Sequence, residues 1–286
     1  MAEHLRDKPK PKIGQAKGKA SEWKDPFAKE NLERDLFVAE LNDRHSLVLN
    51  KFNVVPHHLL VITNVFESQD DPVNRADFEA VFHVLASYPE PALAFFNRGP
   101  QSGMSQPHKH IQIVPMPMAQ DGGFTVAFPF ENIFNRSRKR GEVVQIVDLP
   151  FKAFILGIDE ALRSEGDNAA AWGVLEGMLD EVRGMLSPGE SLDSYNMLAT
   201  LDWVVIVPRS AESCGPCSVN AMGFAGTFLL RSQEELDYIQ SNDPLDLLSQ
   251  VALRKAVDPK TYIKMQGKSH KGGECGPECK CQCTQM

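Results

Sequence analysis

The first half of the chain carries short apolar runs with the length and β-branched composition of strands, at residues 46–50, 58–63, 92–96 and 108–114. Between the second and third runs, apolar residues recur over residues 77–88 at the spacing of one helical face, which predicts an amphipathic helix. The last two runs are expected to pair as a hairpin. Sequential strands with a helix on one side predict an α+β fold, mainly an antiparallel sheet with flanking helices.

The second half of the chain shows the same alternation of strand-like and helix-like patterns. Strands are predicted at residues 143–147, 195–200, 203–207 and 226–230, and the middle two are predicted to form a hairpin. Helices are predicted at residues 169–186, 233–240 and 243–256. Residues 115–140 are rich in Pro, Gly, Phe and Arg without a clear period, so irregular structure is expected there.

Composition separates the two ends of the chain from this patterned middle. Residues 1–33 are rich in Lys, Pro and Gly, which predicts a flexible basic arm; the alternative is an arm that folds over bound phosphates. Residues 266–286 lack a core-forming pattern and predict a flexible Cys-rich tail. The middle divides into residues 34–190 and a second strand-rich part, residues 191–265.

Charge and cysteine content narrow the possible functions. A net charge of −8 and a pI of about 5.5 argue against general nucleic-acid binding, whereas a small nucleotide needs only a local positive pocket. No apolar run approaches the length of a membrane span, and the N-terminus lacks the apolar region of a secretory signal. The cysteines are too crowded at the C-terminal end for a disulfide scaffold, so a reducing, cytoplasmic compartment is expected. The pattern leaves the oligomeric state, monomer or dimer, open.

Candidate chemistry is concentrated in residues 97–115. A loop of small and polar residues, with Gly and Ser able to wrap phosphate oxygens, leads into a run in which His108, His110 and Gln112 share one parity. In a strand these three side chains lie on one face. A neutral imidazole is a competent nucleophile near pH 7, and a glutamine amide can donate to a phosphate oxygen. This combination favours phosphoryl or nucleotidyl transfer through a covalent histidine intermediate.

The same two histidines also have the spacing of a zinc site on a strand. Neither a carboxylate nor a cysteine stands nearby in the sequence to complete such a site, whereas several phosphate donors do. The joint pattern therefore favours a phosphate-handling loop.

A longer pattern resembles the transferase branch of the histidine-triad superfamily, with Gln112 in place of the third histidine: Asn97-x-Gly99-x-x-Ser102-Gly103-x-Ser105-x-x-His108-x-His110-x-Gln112. The diadenosine tetraphosphate phosphorylase family, also called ATP adenylyltransferase, resembles it most closely. Residues 50–60, with Lys51 and a His57-His58 pair, are similar to that family's upstream signature. Residues 195–203 and 219–226 are similar to its C-terminal region, so the resemblance spans roughly residues 34–256.

The resemblance implies a reaction and a set of roles. Diadenosine tetraphosphate and phosphate would give ATP and ADP reversibly, with His110 holding AMP covalently and with His108 and Gln112 assisting it. Residues 34–190 would form the catalytic core and residues 191–265 would complete the nucleotide pocket. No covalent cofactor and no catalytic metal site are expected, although a divalent cation such as Mg²⁺ is expected to accompany the nucleotide. The expected substrate-binding residues are Lys51, Asn97, Gly99, Ser102, Gly103, Ser105, Gln106, Asn196 and Asn220, of which the two last could instead cap turns.

Two alternatives concern the reaction and one concerns the cysteines. Water or a sugar phosphate could replace phosphate, as in a hydrolase or in the hexose-1-phosphate uridylyltransferase branch. Cys214-Gly215-Pro216-Cys217 spells a thioredoxin-type redox motif, but no long helical pattern follows it. The tail cysteines Cys275, Cys279, Cys281 and Cys283 are spaced as in metallothioneins. A metal-buffering or redox protein is therefore the alternative to an enzyme.

Overall fold

The structure is a computed structural model that describes residues 24–53, 55–116, 119–121, 124–126, 131–158 and 169–255. Its strands are β1 (Phe37–Asn42), β2 (His45–Leu49), β3 (Leu59–Thr63), β4 (Ala92–Arg98), β5 (His110–Pro115), β6 (Ala119–Asp121), β7 (Phe124–Val126), β8 (Val143–Gln145), β9 (Phe154–Gly157), β10 (Tyr195–Ala199), β11 (Trp203–Pro208), β12 (Ser213–Cys214) and β13 (Cys217–Ser218). Its α-helices are α1 (Arg75–Ser87), α2 (Glu131–Ser137), α3 (Ala169–Gly184), α4 (Ala221–Phe224), α5 (Gln233–Gln240) and α6 (Pro244–Val251). None of these helices combines the length and the apolar character that crossing a membrane requires.

Nine strands form one sheet in the order β1-β2-β3-β5-β4-β10-β11-β9-β8, and every neighbouring pair is antiparallel. This confirms the predicted α+β class and both predicted hairpins, β4–β5 and β10–β11. The strand pair β4–β10 lies at the centre, with Asn97 opposite Asn196. The chain after residue 190 therefore supplies central strands to the same sheet that holds the histidines.

Alternation along the strands sends one set of side chains to the helical side of the sheet. Val61, Ile111 and Ile113 belong to a buried cluster that also contains the apolar faces of α1 and α3. Helix α1 begins with a capping box in which the Asn74 side chain accepts from the Asp77 amide and the Asp77 carboxylate accepts from the Asn74 amide. The helices predicted at residues 77–88 and 169–186 are these two elements.

The opposite side of the sheet carries the histidines between two apolar clusters. Leu60 and Ile62 of β3 lie opposite Gln112 and His110 of β5, and paired residues of an antiparallel ladder share a face. Leu60 and Ile62 pack with Val48 in a small cluster beside the histidines. A larger cluster beyond them is completed by α4 and α6.

Several local predictions were wrong. Residues 226–230 are not a strand, because the Thr227 amide donates 2.9 Å to the Met222 carbonyl and closes the end of α4, while Phe228 and Leu230 pack singly on the larger cluster. The predicted irregular stretch at 115–140 contains β6, β7 and α2. Edge strand β1 and inner strand β9 had no counterpart among the predicted strands.

A buried ion cluster supports the histidine strand from the helical side. Lys109, between the two histidines, is 1% exposed, and its Nζ lies 2.6 Å from Asp77 Oδ2. The other oxygen of that carboxylate lies 2.8 Å from His45 Nε2. Burial by itself would raise the pKa of Asp77, but the hydrogen bond from His45 and the charge of Lys109 outweigh it and hold the pKa below the ordinary aspartate value.

Replacing Asp77 by Asn should destabilise the protein by roughly 3 kcal/mol at pH 7, because the buried Lys109 ammonium loses its nearest carboxylate and keeps only the longer contact with Glu67 at 3.4 Å. The depressed pKa means that the carboxylate stabilises the folded state above its unfolded pKa of about 3.9 and loses this effect as the pH falls through the folded pKa. Urea unfolding of both proteins between pH 7 and pH 3 should therefore show the difference shrinking toward acid.

The matched control for this measurement is Glu79→Gln, which removes an exposed carboxylate from the same helix. Glu79 pairs with Arg75 at 2.6 Å with both side chains 39% exposed, so about 0–1 kcal/mol is expected. Equal effects of the two substitutions would contradict the role given to the buried cluster.

Candidate active site

His110, Gln112 and His108 lie on one face, as their parity predicted. His110 begins β5 and Gln112 lies two residues further on, while His108 precedes the strand in an isolated bridge with Ser68. Both imidazoles are buried, and Gln112 is partly exposed.

The orientation of the His110 ring is determined by its neighbour. Its Nδ1 lies 2.8 Å from the backbone carbonyl oxygen of His108. A carbonyl oxygen only accepts, so Nδ1 carries the proton and donates, which assigns the Nε2 lone pair to the neutral ring. His110 is thereby arranged as a nucleophile at Nε2.

The Gln69 side chain bridges β4 and β5 where their regular pairing ends. Its Oε1 accepts from the His110 amide at 2.8 Å, and its Nε2 donates to the Asn97 carbonyl at 2.8 Å. Regular pairing of β4 with β5 stops at Phe95 and Gln112, and beyond it the Gln69 amide bridges the two backbones. A side chain therefore replaces a ladder contact where the chain diverges into the polar loop.

Both ring nitrogens of His108 have hydrogen-bond partners. Nε2 lies 2.9 Å from the Thr63 carbonyl oxygen and 2.9 Å from the Thr63 hydroxyl. Nδ1 lies 2.7 Å from the Asp25 carboxylate, which comes from the N-terminal segment. The ring of Phe27 is 5.7 Å from that of His108 and 5.4 Å from that of His110, centroid to centroid.

Gln112 has a histidine partner that the sequence did not reveal as a site residue. Its Oε1 lies 3.1 Å from Nε2 of His58, and the His58 ring is 6.0 Å from the ring of Phe95. With its carbonyl oxygen engaged by His58, the amide nitrogen of Gln112 is the end suited to donate to a phosphate oxygen.

The polar loop before the histidines is shaped from inside. Ser102 is fully buried, and its hydroxyl donates 2.6 Å to the carbonyl of Gly99, whose φ is +81°. The Ser102 side chain therefore faces inward and shapes the loop, and its expected contact with phosphate stays a prediction. Gly103, Ser105 and Gln106 are partly exposed and form the accessible part of the loop.

A buried polar network fixes this loop to the C-terminal half. Asn196, 0% exposed, donates to Asn97 Oδ1 at 2.8 Å and to the Ser102 carbonyl at 2.9 Å. Asn97 Oδ1 also accepts from the Ala221 amide at 2.9 Å. Both side chains lie behind the loop and support it, and their expected direct contact with substrate stays a prediction.

Arg209 is the centre of the same network. Its guanidinium donates to Asn196 Oδ1, to the Val219 carbonyl at 2.9 Å and to the Ser102 carbonyl at 3.3 Å. Burial lowers its pKa to about 9, so it keeps its charge at neutral pH. Within the described residues its partners are carbonyl and amide oxygens, without a carboxylate. A positive charge therefore lies directly behind the loop that is suited to phosphates.

The other predicted residues lie at the margins. Lys51 is exposed after β2, and its Nζ lies 2.5 Å from the carboxylate of Glu33. Asn220 is the N-cap of α4 and accepts from the Met222 amide, which is the turn-capping alternative.

The Cys214–Cys217 motif forms a small hairpin, β12–β13, in which the two cysteines face each other as free, buried thiols. Burial raises the pKa of both, that of Cys217 to about 11, which disfavours the reactive thiolate. The tail cysteines Cys275, Cys279, Cys281 and Cys283 lie outside the described residues.

Replacing Gly103 by Ala should lower the kcat/KM of the nucleotidyl-transfer reaction expected from the sequence about tenfold or more. Its φ is +73°, and an added Cβ would lie 2.6 Å from the Val219 carbonyl oxygen, so the loop must move away from the C-terminal half. Steady-state kinetics with thermal unfolding of the same preparations would measure both consequences.

Gly141→Ala is the matched control for this substitution, since its φ is +63° and an added Cβ would meet nothing within 4 Å. It should cost about 1 kcal/mol of stability and leave kcat/KM unchanged. An equal kinetic loss in both variants would contradict the importance of the loop contact.

Comparison with known proteins covers both halves of the chain. Residues 1–136 match the family model of the Ap4A phosphorylase N-terminal domain, and residues 147–254 match that of the ATP adenylyltransferase C-terminal domain. Diadenosine 5',5'''-P1,P4-tetraphosphate phosphorylase 2 of Saccharomyces cerevisiae is 30% identical over 253 residues, covering 80% of this chain and 75% of the relative. Protein APA1 of the same yeast is 28% identical over 247 residues, with the same coverage.

Two solved structures superpose on the described fold. Yeast Ap4A phosphorylase Apa2 in complex with Ap4A has a TM-score of 0.67 at 27% identity and covers 82% of each chain. The same enzyme in complex with AMP has a TM-score of 0.64 at 30% identity and covers 82% of this chain and 83% of its own.

Proposed function

Because the chain belongs to the Ap4A phosphorylase family, we propose that it phosphorolyses diadenosine tetraphosphate (Ap4A) to ATP and ADP through a covalent AMP–histidine intermediate. One observation carries the mechanism: the bond from His110 Nδ1 to the His108 carbonyl assigns the lone pair of the neutral ring to Nε2. The similarity to Ap4A phosphorylases over both halves of the chain does not favour hydrolysis or uridylyl transfer.

The first displacement breaks a phosphoanhydride bond of Ap4A. Nε2 of His110 attacks the α-phosphorus of one adenosine end, the bond from that phosphorus to the bridging oxygen breaks, and ATP leaves with the bonding electrons. AMP stays on His110 as a phosphoramidate. The developing positive charge on the ring is stabilised at Nδ1 by the His108 carbonyl oxygen, 2.8 Å away.

The second displacement regenerates the histidine. An oxygen of inorganic phosphate attacks the same phosphorus, the phosphorus–nitrogen bond breaks, and ADP leaves. Gln112 donates to a non-bridging oxygen of the adenylyl group, and the accessible loop residues Gly103, Ser105 and Gln106 bind the polyphosphate. The positive charge of Arg209 behind that loop offsets part of the phosphate charge.

Lys51 and the metal ion are further parts of the proposal. Lys51 would exchange its exposed partner Glu33 for substrate phosphate. A divalent cation such as Mg²⁺ would arrive with the polyphosphate; among the described residues no group of three or more His, Cys, Asp or Glu side chains is placed to hold a metal ion. The free thiols Cys214 and Cys217 support a reducing, cytoplasmic location.

His110→Ala should lower turnover of Ap4A by roughly 1,000-fold or more, because it removes the nucleophile. The products formed with and without phosphate should be separated by chromatography, and the adenylylated protein should be sought by mass spectrometry after an acid-free quench. The native protein should give ATP and ADP only when phosphate is present.

His83→Ala is the control for the loss of an imidazole, because His83 is exposed on α1. Its turnover should match that of the native protein. A covalent AMP adduct that persists in His110→Ala would contradict the assignment of His110 as the nucleophile. Formation of ATP and AMP in the absence of phosphate would show that the protein is a hydrolase.

A further inference from the structure

Residues 24–33, here called the N-terminal strap, make specific contacts with both histidines although they lie outside the sheet. We propose that this strap completes the active site: Asp25 is a positioning residue for His108, and Phe27 covers His110 so that water is kept from the adenylylated histidine. The inference rests on the proposed phosphorolysis and adds to it the residues that decide which acceptor, phosphate or water, takes the AMP.

The Asp25 carboxylate is itself held in place. Its Oδ2 lies 2.7 Å from His108 Nδ1, and its Oδ1 accepts from the Phe27 amide at 3.0 Å. Asn31 Nδ2 donates 2.8 Å to the Asp25 carbonyl, which closes the strap into a turn. The Asp25 side chain is 14% exposed and the His108 side chain is 1% exposed, so solvent screens this contact little.

The position of the His108 ring affects the nucleophile, His110, through the backbone of His108. Asp25 and the Thr63 carbonyl oxygen hold opposite nitrogens of the His108 ring, which leaves that ring one orientation. The backbone carbonyl of the same residue accepts from His110 Nδ1. A tilt of His108 would therefore move the acceptor that sets the tautomer and direction of the His110 ring.

Phe27 covers the histidines from the side opposite the sheet. Its ring lies 5.4 Å from the ring of His110 and 5.7 Å from that of His108, and it packs on the cluster of Val48, Leu60 and Ile62. Phe66 adds a second aromatic ring 5.3 Å from His108. Apolar rings in these positions keep water away from the bond between phosphorus and nitrogen.

The choice of acceptor makes this cover chemically important. If water attacks the adenylylated His110, its oxygen bonds to phosphorus, the phosphorus–nitrogen bond breaks, and AMP leaves while the water proton goes to solvent. If phosphate attacks, the same bond breaks and ADP leaves. Water is far more abundant than phosphate, so phosphorolysis requires a site that excludes it.

The test compares strap variants of the full chain with Ap4A at one fixed phosphate concentration, measuring the ratio of AMP to ADP together with kcat and KM. Phe27→Ala should raise the AMP:ADP ratio about tenfold or more, and Phe27→Leu, which keeps an apolar side chain, should restore most of the native ratio. Asp25→Asn should lower kcat about 10- to 100-fold, through slower formation of the AMP adduct, with KM changed less than threefold.

Matched controls come from the region that follows the strap. Asp35→Asn removes an exposed carboxylate, and Phe37→Ala removes an aromatic ring that is 43% exposed on β1. Both should keep the native ratio and the native kcat. Thermal unfolding of every variant separates loss of fold from loss of positioning. Asp25→Asn is a nearly isosteric replacement, and Phe27→Leu keeps an apolar side chain for the case in which Phe27→Ala fails to fold.

Each part of the inference has an outcome that overturns it. A native AMP:ADP ratio in folded Phe27→Ala overturns the covering role, and a native kcat in Asp25→Asn overturns the positioning role. If the native protein makes no ATP and ADP from Ap4A and phosphate, the proposed function itself fails, which is a different result from either of these.

Discussion

The position of β5 inside the sheet is the constraint on which the site depends. Paired on both sides, by β3 and β4, the strand cannot rotate, and its alternation sends His110 and Gln112 to one face and Ile111 and Ile113 to the other. The helical side anchors it through a buried apolar cluster and through the Lys109–Asp77 ion pair. One face of β5 therefore carries the polar side chains of the site, and the other face anchors the strand in the core. The two-residue period of the strand separates these two sets of side chains.

A second constraint ties the phosphate loop to the other half of the molecule. The loop after β4 is closed by the hydrogen bond from Ser102 to Gly99, and Asn196 and Arg209 hold the Ser102 carbonyl from behind. These two residues stand on the neighbouring strands β10 and β11, or immediately after them, so the second half of the chain holds the loop that the first half presents. Burying a guanidinium among carbonyl oxygens is costly, and here the desolvated charge is placed where an anionic substrate would benefit from it. The two matched family models consequently correspond to one site.

The N-terminal strap shows how local composition can hide a tertiary role. Residues 24–33 fell inside the stretch predicted to be a flexible arm, because Lys, Pro and Gly dominate its beginning. In the structure Asp25 and Phe27 of this strap contact the histidines, and Phe27 and Leu32 pack on the small apolar cluster, whereas residues 1–23 lie outside the described residues. A single aspartate and a single phenylalanine carry no periodicity, so the sequence pattern contains no signal for this role.

Much of the architecture and the identity of the catalytic strand were determined by the sequence itself. Helices α1 and α3, the hairpins β4–β5 and β10–β11 and the shared face of His108, His110 and Gln112 all follow from local periods of 3.6 and 2 residues. What only the tertiary structure decided are contacts between distant residues: Asp25 with His108 across 83 positions, His58 with Gln112 across 54 and Gln69 with His110 across 41. Tertiary packing also turned Ser102 and Asn196 inward and left residues 226–230 without a strand partner. Periodicity shows which face of an element a side chain occupies. The partner that the side chain contacts on that face depends on the tertiary packing of segments distant in sequence.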